Sequence, residues 1–212
     1  MTETTYKKIV TAFDMEMNQP SGKIISIGAV QGDLISGTIL KEDQWFVKID
    51  EKLNTSLSAT NIPKLTGITD ELLQEKGISL PDAYYRLADF HKGADILNPI
   101  VWGHGDSKTL KKQLEEVGFQ FSEGFENKDK LPVYCFGRRE FDVKQRFQEQ
   151  CILEGVGLQS GLKKSKGRCG LTFKGKAHDA MSDARNTFLF YHYLLFQHIP
   201  GTIRQNKSRR SR

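Results

Sequence analysis

No stretch of the 212-residue chain approaches the roughly 18 to 20 uninterrupted apolar residues that a membrane span needs. The opening "MTETTYKKIV" lacks the apolar core of a signal peptide, so the expectation is a soluble, intracellular, cytoplasmic protein with no membrane partner. Cysteine is scarce. Cys135, Cys151 and Cys169 form no C-x-x-C pair, and their odd number argues against a disulfide framework. They are expected to be reduced and structural. Internal repeats are absent, as is low complexity outside the C-terminal residues. With 38% hydrophobic and 10% aromatic residues the chain can bury a full core. One domain is expected over residues 1–199, followed by a basic, disordered tail over 200–212.

Charge is present in excess of one sign. The net +5 and the pI near 9.0 bias the chain mildly toward polyanionic partners. Its distribution says more: a basic run, "LKKSKGRCGLTFKGKAH", and a basic C-terminal segment, "RQNKSRRSR", could both contact phosphates.

The first third reads as strands. "KKIVTAFDMEM" and "KIISIGAVQGD" are β-rich runs separated by the turn-forming "NQPSG", which predicts a hairpin, and "QWFVKI" predicts a third strand. "IPKLTGITDELLQEK" and "SLPDAYYRLADFHKG" have helical spacing. A short strand through Ile100, Val101 and Trp102 then leads through a glycine-rich turn into a helix carrying Leu110, Leu114 and Val117 inside, with Gly118 as its stop. "PVYCF" reads as a strand, "RREFDVKQRFQEQCIL" as a helix and "GLQSGLKKSK" as a shorter helical segment, and a last helix spans about Ala180 to Phe196. A hairpin followed by alternating helices and strands predicts an α/β fold, a mixed sheet flanked by helices.

Several acids fall at telling places on this map. Asp14 and Glu16 lie two apart on a strand, so they project from one face, roughly 6.6 Å apart along it. Asp106 sits where the "IVWGHG" strand gives way to a helix, a position that suits an N-cap but also the carboxyl end of a strand, where α/β sheets bind ligands. Asp183 projects with Thr187, Phe190, Tyr191 and Leu194 onto the stripe that should face the sheet, while Ser182, Arg185 and His192 point elsewhere. Asp179 reads as the helix N-cap, and His178 precedes it outside the regular helix. Each acid alone has an ordinary structural explanation, but together they do not. At about 5 Å and an effective dielectric of about 20, each carboxylate pair costs on the order of 3 kcal/mol, so convergence demands cations. Hard oxygen donors without a Cys or His cluster point to Mg²⁺ or Mn²⁺ rather than zinc. Two such ions form the clamp used for in-line displacement at phosphorus.

"FDME" (Asp14, Glu16), "HGDSKTL" (Asp106) and "HDAMSDARNT" (His178, Asp183) resemble, in order, the three motifs of the DEDDh, DnaQ-like 3′→5′ exonucleases. The resemblance runs from about Lys8 to Leu195, and the spacing from His178 to Asp183 matches the histidine subclass. "LTGIT", at Leu65 to Thr69, is similar to a further family segment near the terminal nucleotide, and the region from Gly157 to Thr187 looks most like the ERI-type and KapD-like branch.

The resemblance implies a ribonuclease H-like fold. It also implies two metal ions: Asp14 bridging both, Glu16 and Asp183 helping to hold the ion that binds the attacking water, Asp106 serving the second, and His178 as general base. Met15, Leu65, Thr66 and Gly67 would lie against the terminal nucleotide. The implied partners are single-stranded 3′ ends, with RNA slightly favoured over DNA, and the implied products are nucleoside 5′-monophosphates. A homodimer is compatible with the family. Trp102, Phe13 and Met15 read as core side chains and His104 as a surface residue. Two other functions stay open: a non-catalytic nucleic-acid-binding module, and a proofreading subunit of a polymerase.

Overall fold

The computed structural model describes residues 7–48, 56–122 and 132–204. Five strands, β1 (Ile9–Met17), β2 (Ile24–Asp33), β3 (Thr38–Phe46), β4 (Ile100–Val101) and β5 (Phe141–Asp142), form one sheet in the order β3-β2-β1-β4-β5. The first three run antiparallel as a meander, whereas β4 joins β1, and β5 joins β4, in parallel. This is the expected mixed sheet in a ribonuclease H-like α/β architecture. No helix among the described residues is long and apolar enough to cross a membrane.

The period-two alternation of β1 divides the core. Phe13 and Met15 face α3 (Leu80–His91) and α4 (Asp106–Glu116), where Tyr84, Leu87, Leu110 and Leu114 are buried. Val10 and Ala12 face α5 (Val143–Leu153), α6 (Leu162–Arg168) and α7 (Ala180–Phe196), where Phe147, Leu162, Ala184 and Phe188 are buried. Asp14 and Glu16 share the parity of Val10 and Ala12, so they project on the α7 side. A smaller cluster of Ile25, Leu57, Ile62, Ile68 and Leu73 lies under α1 (Ile62–Thr66) and α2 (Asp70–Lys76).

Glycine sets how closely α7 approaches. Gly28 pairs with Asp14 in the β1–β2 register, and a β-carbon on it would lie 2.1 Å from the Met181 nitrogen and 2.2 Å from the Ala180 carbonyl carbon. The first turn of α7 therefore rests on bare β2 backbone. Four residues on, a β-carbon on Gly32 would meet the Phe188 ring at 2.5 Å. These two glycines let α7 settle deep enough to bring Asp183 beside β1.

Three expectations about the elements are corrected. "PVYCF" is not a strand: Tyr134 and Phe136 instead stack on Tyr84 and Phe13, at 5.8 and 4.7 Å between centroids, and the Tyr134 hydroxyl bonds the Ser107 carbonyl oxygen. The fifth strand lies later, and Asp142 caps α5 by accepting from the Gln145 amide. "IPKLTGITDELLQEK" breaks into two helices because Gly67, at φ 85°, ends the first in the left-handed conformation. β3 starts six residues before "QWFVKI": as an edge strand with an exposed, charged outer side it shows little hydrophobic alternation, while Ile49 lies outside the described residues.

Helix α7 is covered on more sides than its projection suggests. Ser182 and His192 are both buried, and His192 Nδ1 lies 2.8 Å from the Leu34 carbonyl oxygen. Residues 200–204, assigned above to the tail, pack back on the domain. Ile203 is buried with its amide on Glu154, and Arg204 exchanges bonds with Arg168. The rest of the tail, 205–212, lies outside the described residues.

Gly28→Ala should destabilise the fold by about 3 kcal/mol, the upper end for overpacking, because the added methyl meets backbone that cannot rotate away. Chemical denaturation of the variant beside the parent protein measures this, and an unchanged midpoint would contradict the packing described.

Candidate active site

Three elements and one loop deliver the acids and the histidine. β1 carries Asp14 and Glu16, α4 begins at Asp106, the first turn of α7 holds Asp183, and the segment from Lys174 leads to His178. Asp106 does not cap its helix. The N-cap is Gly105, at φ 106°, and the capping groups come from Glu140, whose carboxylate accepts from the Gly105 amide at 2.7 Å and from the Ser107 amide and hydroxyl at 2.7 and 2.6 Å. Relieved of that role, the Asp106 carboxyl is pushed up to about 7 by burial and by the charges of Glu140 and Asp142. Asp179 does cap α7, accepting from the Ser182 amide at 3.0 Å.

His178 has the only positive φ of any non-glycine among the described residues, 62°. Such a backbone costs on the order of 1 kcal/mol or more and persists only when its surroundings dictate it. Here the His178 amide donates to Asp183 Oδ2 at 3.2 Å. The approach to it is tied to α7 as well: Asn186 accepts from the Lys174 amide at 3.0 Å and donates to the Lys174 carbonyl at 2.8 Å. The His178 side chain remains exposed. Glu16, His178 and Asp183 each place one donor atom within 4.8 Å of the others.

Asp14 and Asp106 lie outside that trio but are joined to it electrostatically. Burial, first, and then the charges of Asp106, Asp183, Glu16 and Asp179 hold the Asp14 carboxyl well above the ordinary range. Burial and the neighbouring acids push Glu16 up to about 7, partly offset by Lys176. Asp183 is pushed up to about 6, chiefly by burial, and its Oδ1 is buried without a hydrogen-bond partner. A buried oxygen left unpaired among like charges is what a cation-holding cluster looks like before its cation is counted. Carboxylate donors with one imidazole suit a hard divalent ion such as Mg²⁺ or Mn²⁺.

Asp14, Glu16, His178 and Asp183 line a cleft of about 550 Å³ together with Trp102, Lys163, Lys164 and Phe173, whereas Asp106 is not among its lining residues. Trp102, read above as core, is half-buried. It packs on Phe190, donates from Nε1 to the Ser160 carbonyl at 3.0 Å, and still lines the cleft. Met15 borders the cleft although its side chain sits in the opposite core. His104 is a surface residue, its side chain 70% exposed and its Nε2 3.2 Å from Asp142. Leu65 is 49% exposed, whereas the Thr66 hydroxyl is engaged with Ile62 and Ile68. Neither is among the residues lining the cleft. Gly67 is tied to the site through Lys176, whose Nζ would sit 2.9 Å from a β-carbon placed on it. The acid supporting α4, Glu140, escaped the sequence reading, because nothing local distinguishes it from a surface glutamate.

In the metal-free protein the raised pKa values make the folded state bind protons that the unfolded chain has released. Stability should therefore fall as pH rises from about 4.5, the ordinary value for Glu16, to about 7, its folded value. Thermal melts in EDTA across this range should show the fall, and either Mg²⁺ or Asp14→Asn should flatten it. A pH-independent melting temperature in EDTA would refute the electrostatic reading.

No protein-family model matches the sequence, and no curated protein matches it. Solved structures do. The nuclease domain of 3′hExo, described as a DEDDh family member and bound to rAMP, superposes with a TM-score of 0.68 at 18% identity, covering 96% of this chain and 98% of that one. A 3′-exonuclease described in 3′-end-specific recognition of the histone mRNA stem-loop gives 0.67 at 16% identity, covering 90% and 83%. Cell-death related nuclease 4 gives 0.70 at 16% identity, covering 89% of this chain and 64% of that one. What is shared at these identities is the fold, and the chain has the ribonuclease H-like fold of DEDDh 3′-exonucleases.

Proposed function

We propose that the chain is a metal-dependent 3′→5′ exonuclease that hydrolyses the last phosphodiester of single-stranded 3′ ends and releases nucleoside 5′-monophosphates. The observation that carries this reading is the convergence of Asp14, Glu16, Asp183 and His178 on one cleft, with Asp106 near enough for its charge to raise Asp14 and Glu16, on a fold shared with solved 3′-exonucleases. RNA is slightly favoured as substrate, in keeping with the rAMP and the histone mRNA stem-loop of two structural neighbours.

Asp14, Glu16 and Asp183 would hold one cation and Asp14 with Asp106 a second, Mg²⁺ or Mn²⁺ in each place. Bound there, the ions supply neutralisation of the cluster, a more acidic water and stabilisation of the departing 3′ oxygen. The protein's own groups do the rest. Asp183 divides its work: Oδ2 is occupied by the His178 amide, which leaves Oδ1 for a cation. His178, exposed beside the trio, takes the proton of the attacking water and passes it to solvent. Its fixed left-handed backbone keeps the ring at the cleft without a packed side chain. Met15, Leu65, Thr66 and Gly67 would border the terminal nucleotide.

With 5′-labelled single-stranded RNA and DNA in Mg²⁺ or Mn²⁺, the parent protein should produce a ladder shortening from the 3′ end, abolished by EDTA and by Asp14→Ala. Undiminished activity in that variant would sink the assignment. His178→Ala should slow turnover by about 10²- to 10⁴-fold, the usual worth of a general base, while calorimetry shows metal binding largely retained. Loss of metal binding would make His178 a ligand instead.

A further inference from the structure

The residues lining the cleft carry both signs of charge, and only the acidic ones are used by the reading above. Lys163 and Lys164, consecutive on α6, line the same cleft, and both are exposed. Neither forms an ion pair among the described residues, with the acid cluster or with anything else. Their neighbours in the same basic run behave differently. Lys166 is buried with Nζ on Asn186 Oδ1 at 2.7 Å, and Arg168 is buried with its guanidinium on the carbonyls of Arg204 and Gly157. Of the four cations on α6, two thus anchor it to α7 and to the returning chain, and two are left free at the cleft. The wall before the helix is pinned too, by the bond from Trp102 to Ser160. Free ammonium groups on a fixed support, sharing a cleft of about 550 Å³ with carboxylates they do not pair with, leave room for a ligand that meets both.

That ligand must be anionic where it meets the lysines and must tolerate the acids. A phosphodiester strand whose 3′ terminus lies at the acid cluster meets both conditions, since cations there reverse the local charge while the phosphates further along still need partners. We infer that Lys163 and Lys164 bind backbone phosphates on the 5′ side of the scissile bond and so form the path of the single strand out of the active site. This rests on the exonuclease reading for the strand's direction, but not for the binding itself. The lysines touch phosphates rather than base edges, so they add affinity without sequence preference.

The experiment uses the full chain and a 5′-fluorescein-labelled single-stranded oligonucleotide, with fluorescence anisotropy in Ca²⁺ over a series of KCl concentrations. Each phosphate contact on a single strand contributes about 0.7 to the slope of log affinity against log salt, so Lys163→Ala/Lys164→Ala should flatten the slope by about 1.4. Over a fourfold rise in salt the parent should lose roughly sevenfold more affinity than the variant. Turnover of the p-nitrophenyl ester of thymidine 5′-monophosphate in Mn²⁺ should be the same in both, because this substrate has no upstream phosphate. Lys163→Arg/Lys164→Arg should restore the parent slope. An unchanged slope overturns the proposal while leaving the exonuclease intact, and slower turnover of the ester overturns it by placing the lysines at the reaction centre. If the parent hydrolyses neither ester nor oligonucleotide yet the slopes differ as stated, the exonuclease reading fails and with it the strand's direction, while the binding of phosphates by Lys163 and Lys164 stands.

Discussion

Mutual repulsion among half-buried carboxylates is the constraint around which this molecule is organised. Asp14, Glu16, Asp106 and Asp183 come from three separate elements, and each has its proton held more tightly because of burial and its neighbours. Nothing in the isolated chain favours bringing them together. The apolar contacts of β1 and α7 must overcome that repulsion, and the bare backbone at Gly28 gives α7 the depth to do so. On the proposed reading, cations in the cleft would offset that repulsion and so stabilise the folded state when bound.

The scaffold meets this demand with polar clamps borrowed from distant segments. Glu140 caps α4 in place of any side chain of the Gly103–Gly105 turn, so the Asp106 carboxyl is spared the capping role. Asn186 ties down the backbone at Lys174, bonds its own helix at Ser182 and receives Lys166, joining α6, α7 and the segment before His178 at one buried amide. Both groups are buried or half-buried and well bonded, as buried polar groups must be. Their positions say that the cleft is built on fixed supports.

Much of this was legible in the sequence. The parity of Asp14 and Glu16 follows from strand geometry, Asp179 sits where a cap belongs, and the hairpin and final helix declare themselves by turn chemistry and periodicity. What escaped is non-local. "PVYCF" has the composition of a strand, but its aromatic rings find better partners in the core than a ladder would offer. β3 hid because an edge strand buries too little to alternate. The burial of His192 depends on Leu34 and Gly37, far away in the chain, and a helical projection sees only its own helix. Glu140 could not be found because its partners are more than thirty residues distant.

The order of elements along the chain has a consequence for how the protein comes into being. Asp14, Glu16 and Asp106 precede the last helix, whereas His178 and Asp183 arrive with it, and the wall bearing Lys163 is fastened by Arg168 to Arg204 still later. During synthesis an emerging chain presents a partial set of acids on a sheet whose α7 face is uncovered, and it has neither His178 nor the pinned α6 wall. The full cluster of acids and histidine is therefore assembled only when the final helix docks, so a truncated or unfinished chain carries an incomplete cleft.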